Sequence, residues 1–367
     1  MTAAAAARAG AVLTVDLRAL AANWRFLAAR IGRAACGAVV KADGYGLGAA
    51  PVARALAAAG CADFFVASLD EGAVVREALG PGPRVFVMSG LTRGTAADCA
   101  DFGLIPVLLS AEEVAGWTGL CAARGPLPAG IKIDTGMSRL GMSVAAFRRM
   151  VADRSLAGFP LALVMSHLAC ADTPAHPMNA AQRAEFAGLA ALVPGARASL
   201  ANSAGVFLGD GFHFDVVRPG GALYGLWPLA EGANRLAQVV RLKAKILQVH
   251  DVDSNRGVGY GATRLTSRPS RLATAAIGYA DGLLRSLSNC GVGYVGDSRV
   301  PLVGRVSMDL STFDVTDVPP ALCRPGDFID IIGPHQDVDA LAAAAGTIGY
   351  EVLTRLARRI DRVYIDD

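Results

Sequence analysis

The sequence predicts an α/β protein, an N-terminal (β/α)8 TIM barrel followed by a C-terminal, mostly antiparallel β domain. In the first part, short apolar runs alternate with stretches of helical length, the order in which each parallel strand is followed by a helix. From about residue 237, apolar and polar residues alternate between Gly, Pro, Asn and Asp turns, which is typical of antiparallel strands with one exposed face. We therefore expect a barrel over residues 1–236 and a β domain over residues 237–367.

Eight apolar runs in the first part are strand candidates. They cover residues 36–42, 64–68, 84–90, 104–110, 129–135, 161–168, 197–202 and 214–220. Helical patterns separate them, and several begin at Ser or Asp and end at Gly, as helix caps do. Eight strand–helix units fit a barrel of roughly 250 residues, whereas an open doubly wound sheet more often has about five or six strands.

The composition is that of a globular enzyme. Of the 367 residues, 53% are apolar and 18% are charged, and the net charge of +3 is spread without long basic blocks. Nucleic-acid and membrane-surface partners usually require clustered Lys and Arg, so we expect neither. No signal-peptide pattern and no apolar window of ~20 residues is present.

The seven cysteines are scattered singly, with no C-x-x-C pair. This pattern indicates reduced thiols and argues against a disulfide framework or a zinc site. We expect a cytoplasmic enzyme with no bound metal.

The stretch "AVVKADGYGLGA" has two interpretations. "GYGLGA" fits the dinucleotide pattern G-x-G-x-x-A, and Asp70 stands where a ribose-binding carboxylate would be, so a Rossmann dehydrogenase is an alternative. However, Lys41, Ala42 and Asp43 separate the apolar run from the first glycine, whereas a dinucleotide turn begins where the strand stops. The eight-strand count also favours the barrel.

Polar residues lie at the ends of several predicted barrel strands, where the catalytic face of a TIM barrel is built. They are Lys41, Lys132, Asp134, His167, Asn202, Ser203 and Arg218. Each alone could be a solvated rim residue, but their shared position at one face indicates a functional site.

The loops after strands seven and eight commonly bind phosphate in such barrels. Here they contain Asn202 and Ser203, then Gly220 and Gly221 at an expected helix start, where N–H groups favour an anion. Ordinary Gly-rich turns are the alternative. A phosphate site together with Lys41 in the same barrel mouth predicts pyridoxal phosphate, with the lysine as its covalent anchor.

Nine motifs are similar, in order and spacing, to those of the alanine racemases. They are "VVKADGYGLG", "KIDTGMSRLGM", "SHLACAD", "ANSAG", "VRPGGALYG", "VGYGAT", "IGYADG", "GRVSMD" and "TIGYEVLTRL". The resemblance covers nearly the whole chain. It implies a pyridoxal-phosphate isomerase that interconverts L- and D-alanine, supplies D-alanine for peptidoglycan and forms a head-to-tail homodimer with shared active sites.

The resemblance also implies two acid/base groups, because racemisation removes a proton from one face of Cα and returns it on the other. Lys41 would serve one face and Tyr260, from the second subunit, the other. A tyrosine with an ordinary pKa near ~10 needs a cationic neighbourhood to act as a base, and His167 and Arg218 would supply it. Arg218 would also donate to the pyridine nitrogen of the cofactor.

The remaining roles implied by the resemblance concern binding. Arg139 and the Met308 N–H would hold the substrate carboxylate, and Lys132, as a carbamate, would orient Arg139. A plain salt bridge is the alternative for Lys132. Tyr45 and Tyr350 would bind the phosphate. Tyr279 and Tyr350 would together narrow the entrance to the active site.

Some positions depart from the family pattern. Asp43-Gly44 and Leu47 stand where the family usually has Asn-Ala and His, Ser307 stands where Cys is common, and Gly221 replaces a bulkier residue. These changes leave the substrate range open, including serine. Two other pyridoxal-phosphate proteins are alternatives: a barrel decarboxylase, which should lack the "VGYGAT" tyrosine, and a noncatalytic binding protein, which needs no β domain.

Overall fold

The computed structural model of the protein describes residues 8–366. The chain divides into two compact units. One consists of Ala19–Ala237, and the other joins the residues from Gln238 onward to the start of the chain, up to Arg18. The prediction also divides the chain at residue 237, but it places the segment up to Arg18 in the barrel.

The first unit contains a parallel barrel. Seven strands lie side by side in chain order: Ala38–Val39, Asp63–Val66, Arg84–Val87, Ile105–Leu108, Ala129–Asp134, Leu161–Met165 and Arg197–Ser199. The short strand Met142–Ser143 pairs with the fifth. The eighth strand, Val216–Val217, pairs in parallel with Ala35–Cys36, the segment that leads into the first strand.

Backbone hydrogen bonds close this barrel on both sides of the eighth strand. The Asp215 N–H donates to Ala198 O at 3.0 Å, and the Arg218 N–H donates to Ala201 O at 2.9 Å. On the other side, the Gly37 N–H donates to Val217 O at 2.9 Å. All eight predicted strands are present, each shorter than its apolar run, and the predicted fold class is confirmed.

Helices connect the barrel strands. They are Ala49–Ala59, Leu69–Leu79, Ala96–Asp101, Ala111–Arg124, Val144–Ala152 and Pro177–Ala190, preceded by Leu17–Ala28. Four 3₁₀ turns lie at Ser155–Gly158, Ala204–Phe207, Asp210–Phe212 and Gly221–Tyr224. Leu69–Leu79 and Ala111–Arg124 begin after capping serines whose hydroxyls accept a backbone N–H, as the Ser signals predict.

The amino ends of three barrel strands are tied together by one buried carboxylate. Asp63 accepts from Arg84 Nε at 2.6 Å and Nη2 at 3.1 Å, and from Arg197 Nη1 at 2.9 Å. The three residues begin the second, third and seventh strands. This ion-pair cluster lies at the end of the barrel opposite to the predicted site, so we assign it to stability.

The second unit is a mostly antiparallel β structure. Its strands are Ala11–Asp16, Val240–Val252, Gly257–Val258, Arg264–Leu265, Ser270–Ala275, Val292–Val295, Ser298–Pro301, Ser311–Asp314, Phe328–Ile332 and Asp361–Ile365. Its helices are Val338–Ala345 and Gly349–Arg355, and its 3₁₀ turns are Tyr260–Ala262, Tyr279–Asp281, Arg285–Leu287 and Pro320–Leu322. Val240–Val252 is the longest strand and pairs antiparallel with three others.

The first strand of the chain belongs to this second unit. Ala11–Asp16 pairs antiparallel with Val240–Val252 and parallel with Asp361–Ile365. Its residues alternate strictly between buried and half-buried, as in a strand with one face on a core. Within residues 8–366, no helix is both long and apolar enough to cross a membrane.

Candidate active site

Lys41 lies at the carboxyl end of the first barrel strand, directly before a left-handed turn. Residues 42–45 all have positive φ, at 53°, 54°, 61° and 56°. A left-handed conformation costs roughly 1–2 kcal/mol for each residue other than glycine, and only Gly44 is a glycine among the four. Such a run persists only where surrounding contacts hold it, so the conformation beside Lys41 is specified by its neighbours.

Two carboxylates hold this turn. Glu71 accepts the Ala42 N–H at 2.7 Å, and Asp43 accepts the Ala49 N–H at 2.8 Å. Asp43 therefore connects the turn to the first residue of the helix Ala49–Ala59. Leu47, the other unusual residue of the motif, is fully buried in the core.

Burial lowers the pKa of the Lys41 amine, and the positive charge of Arg139 lowers it further, while the Glu71 carboxylate acts to raise it. A larger fraction of the amine is therefore neutral at neutral pH than for an exposed lysine. A neutral amine is the form that reacts with a carbonyl group.

The ring of Tyr45 connects this turn to the loop after the eighth strand. It is buried and stacks on Tyr224, with ring centroids 4.4 Å apart and an interplanar angle of 26°. The Tyr224 hydroxyl donates to Val39 O at 3.1 Å. A methyl carbon on Gly220 would lie 2.2 Å from the Tyr45 hydroxyl oxygen, so only glycine allows this approach.

Ser203 organises the loops after strands seven and eight. Its buried hydroxyl oxygen accepts the Gly220 N–H at 2.9 Å and the Ala222 N–H at 3.3 Å. Gly221 begins the 3₁₀ turn Gly221–Tyr224. The predicted phosphate loops thus lie together, with the Tyr45 hydroxyl beside them.

Arg218 is 3% exposed. Its guanidinium donates through Nη1 to the Ser199 hydroxyl and through Nη2 to Ser166 O at 2.7 Å. Burial lowers the pKa of Arg218 to about 9, and the side chain remains a cation at neutral pH. Its orientation is fixed by Ser199, the last residue of the seventh strand, and by Ser166, the residue after the sixth.

Lys132 lies on the fifth strand and is 7% exposed. Burial first, and then the charges of Arg218 and Arg139, lower the pKa of Lys132 to about 8. The nearby Asp134 instead accepts the N–H groups of residues 136–138 at 2.8–3.1 Å. Within residues 8–366, Lys132 forms no ion pair with a carboxylate.

His167 is uncharged at neutral pH. Burial, followed by the charges of Arg218 and Lys132, lowers the pKa of His167 to about 3. Asn202 Nδ2 lies 3.5 Å from His167 Nε2, an arrangement in which the ring nitrogen accepts. His167 therefore adds no positive charge to the predicted site.

Four predicted site residues lie in the second unit. Tyr260 is 71% exposed in the turn Tyr260–Ala262, and Tyr350 is half-buried in the helix Gly349–Arg355. Tyr279 and Met308 are neighbours, because the Tyr279 N–H donates to Ser307 O at 3.0 Å and the Ala280 N–H to Met308 O at 2.9 Å. Tyr279 and Met308 are 44% and 55% exposed.

Models of two family domains match the chain almost end to end. The alanine racemase N-terminal domain matches residues 15–228, and the alanine racemase C-terminal domain matches residues 239–364. The chain belongs to the alanine racemase family. The resemblance predicted from the motifs is confirmed.

Individual family members agree with this assignment. An alanine racemase of Rhodospirillum rubrum is 52% identical over 97% of this chain and 96% of its own length. A biosynthetic alanine racemase of Agrobacterium fabrum is 46% identical over 96% of this chain and 93% of its own. The crystal structure of the Bartonella henselae enzyme, with covalently bound pyridoxal phosphate, has a TM-score of 0.93 at 39% identity and covers 97% of this chain and 100% of its own.

Three contributions to the site of this family member are not evident from its motifs. Tyr224 stacks on Tyr45, Ser199 orients Arg218, and Glu71 holds the turn after Lys41. The pattern Ser68-x-x-Glu71 marks a helix start, but it does not show that the Glu side chain reaches the neighbouring strand.

Proposed function

We propose that this chain is a pyridoxal-phosphate-dependent racemase that interconverts L-alanine and D-alanine. Family membership supports the activity, and the Bartonella henselae relative binds the cofactor covalently. The observation that contributes most is the position of Lys41. Lys41 follows the first barrel strand, and the pKa of its amine is lowered. The turn after it carries Tyr45, whose hydroxyl lies beside the loops that contain Ser203 and Gly220.

The residues of the first unit fit this cofactor. Lys41 would hold it covalently through the ε-amine. Its phosphate would be bound by the Tyr45 hydroxyl, Ser203 and the N–H of Gly221 at the start of the 3₁₀ turn. Arg218 would donate to the pyridine nitrogen, and because arginine stays protonated it gives no proton to that ring. His167 and Asn202 would contact the ring. The sequence resemblance adds Tyr350, a residue of the second unit, as a further phosphate ligand.

When bound, pyridoxal phosphate withdraws electrons from Cα of an attached amino acid and makes its proton acidic. The substrate amine would take the place of the Lys41 amine on the cofactor, which frees the lysine. The free Lys41 amine would then remove or return this proton on one face of Cα, and Tyr260 would do so on the other. The tyrosine needs a nearby cation to lower its pKa. Because His167 is neutral, Arg218 would be that cation.

The substrate carboxylate would be bound by Arg139 and by the Met308 N–H, with Tyr279 at the entrance. We propose that Lys132 orients Arg139 as a carbamate. The neutral Lys132 amine would add to carbon dioxide, forming one N–C bond and releasing one proton. A pKa of about 8 makes the neutral amine available, and the surrounding Arg218 and Arg139 would stabilise the anion formed. A carbon-13 carbamate resonance in protein incubated with labelled bicarbonate, absent from Lys132→Ala, tests this role.

We propose that the active form is a head-to-tail homodimer in which Tyr260 serves the partner's Lys41. The exposed Tyr260, Tyr279 and Met308 are large side chains that a second subunit would cover. Mixing inactive Lys41→Ala and Tyr260→Phe subunits tests the arrangement. If the sites are shared, each mixed dimer has one complete site and activity returns to about a quarter of wild type; no recovery would show that both residues serve a site within one chain.

We further propose a cytoplasmic location and a role in supplying D-alanine for peptidoglycan. All seven cysteines are free thiols, as is usual in a reducing compartment. The Agrobacterium fabrum relative is named as biosynthetic.

Borohydride reduction of the holoenzyme, followed by peptide mapping, tests the proposed anchor. We expect the reduced cofactor on Lys41. Labelling at another lysine, or at none, would contradict the assignment.

A further inference from the structure

Two helices of the barrel unit begin with the same four-residue pattern, Ser-x-x-Glu. In Ser68–Glu71 the serine hydroxyl accepts the Glu71 N–H at 3.3 Å, and in Ser110–Glu113 it accepts the Glu113 N–H at 3.2 Å. In an ordinary capping box the glutamate would reach back to the N–H of its own cap residue. Here both glutamates bind other donors.

Each glutamate accepts one N–H from the end of its own strand and one from the loop after the neighbouring strand. Glu71 accepts the Ala67 N–H at 2.8 Å and the Ala42 N–H at 2.7 Å. Glu113 accepts the Leu109 N–H at 3.0 Å and the Leu91 N–H at 3.3 Å. In both cases the two strands are direct neighbours in the barrel. We call these two arrangements the Glu71 clamp and the Glu113 clamp.

The two clamps differ in what they hold. The Glu113 clamp holds Leu91, in a loop without any predicted site residue. The Glu71 clamp holds Ala42, the residue after Lys41 and the first of the left-handed turn. We propose that Glu71 is a positioning residue for Lys41, one that fixes the turn and thereby the place of the lysine amine. This inference rests on the proposed function of Lys41.

Ala42 is the residue of the turn that Glu71 holds directly. Its left-handed conformation is unfavourable for a residue with a Cβ, and hydrogen bonds to a carboxylate are roughly twice as strong as neutral ones. A glutamine at position 71 has one acceptor oxygen and an NH₂ group that cannot accept. Glu71→Gln therefore leaves either Ala42 or Ala67 without a partner, and the turn loses the contact that opposes its relaxation.

The Glu71 carboxylate also acts on the charge of Lys41. The charged or titratable groups that interact with the lysine are Arg139, Glu71, Lys132 and His167. His167 is neutral, and Arg139 favours the uncharged amine. Loss of the Glu71 charge therefore leaves the cations unopposed, and the pKa of the lysine falls further.

The test compares Glu71→Gln with the matched Glu113→Gln in the holoenzyme. For Glu71→Gln we expect kcat to fall about 10- to 100-fold while KM changes less than about threefold. For the direction of racemisation in which Lys41 removes the proton, the low-pH limb of the plot of kcat against pH should move to lower pH. Glu113→Gln should leave kcat and the pH profile as in wild type.

Hydrogen exchange gives a readout that does not depend on activity. In Glu71→Gln, amides of residues 42–48 should exchange at least about tenfold faster, with residues 88–95 unchanged. Glu113→Gln should leave residues 42–48 unchanged, because Leu91 and Leu109 donate to one and the same Glu113 oxygen, which a glutamine can supply. Equal losses of kcat in both variants, or an unchanged exchange rate at 42–48 in Glu71→Gln, would overturn the inference. A wild-type protein without racemase activity would instead refute the proposed function, whatever the exchange result.

Discussion

Replacing Gly220 with alanine should weaken cofactor binding, because the new methyl group would occupy space used by Tyr45. The added carbon would lie 2.2 Å from the Tyr45 hydroxyl oxygen, and ordinary contact begins at 3.4 Å. One of the two groups must therefore move by 1.2 Å, the difference between these distances. The Tyr45 ring is buried and stacked on Tyr224, so it cannot move without loss of packing.

Overpacking of this kind costs about 1–3 kcal/mol. If Tyr45 binds the phosphate, a displacement of this size also takes its hydroxyl out of hydrogen-bond range. We expect the Kd for pyridoxal phosphate to rise by about 5- to 150-fold. Titration of the apoenzyme with cofactor, followed by visible absorbance, measures this value.

Gly82→Ala is the matched control, because a methyl group at Gly82 would meet no heavy atom within 4 Å. It should bind the cofactor as wild type does. If Gly220→Ala binds pyridoxal phosphate within about threefold of wild type, with an unchanged Tm, then Tyr45 does not lie against the phosphate loop as described.

Three other perturbations test separate parts of the account. Tyr260→Phe should lower racemisation in both directions by about 10²- to 10⁴-fold while the cofactor stays bound; a fully active variant would remove the second base. Asp63→Ala should destabilise the protein by about 2–3 kcal/mol in urea unfolding, because it leaves two partly exposed arginines unpaired, whereas Asp101→Ala, at an exposed pair, should cost under about 1 kcal/mol; equal costs would contradict the structural role of Asp63. His167 binds its proton near pH 3 when folded and near 6.5 when unfolded, so between these values the unfolded state holds more protons and stability falls as pH falls, by at most about 1.4 kcal/mol per pH unit. His167→Gln should reduce this slope, and an unchanged slope would show that the folded protein does not keep His167 neutral.

The strand order of the barrel could be predicted from the sequence because its strands are β-branched or apolar runs separated by stretches of helical length. The place of Ala11–Asp16 could not. Its six residues alternate as in a half-buried strand, but its partners, Val240–Val252 and Asp361–Ile365, lie more than two hundred residues away. Local periodicity shows that a strand is present and does not show which sheet it joins.

In the candidate site, too, local sequence patterns do not show the contacts between residues that are distant in the chain. Lys41, Ser203 and Arg218 could be placed at strand ends because parallel strands point the same way. The left-handed turn at residues 42–45 could not be predicted, because three of its four residues have a Cβ and disfavour it. One of the contacts that hold it comes from Glu71, which lies on the next strand–helix unit.

The most direct test of the central claim is incubation of the purified holoenzyme with L-alanine in deuterium oxide, followed by chiral separation and mass spectrometry. The account predicts D-alanine with solvent deuterium at Cα, and approach to equal amounts of the two enantiomers. L-alanine that stays unchanged, or that is converted to carbon dioxide and an amine, would contradict it.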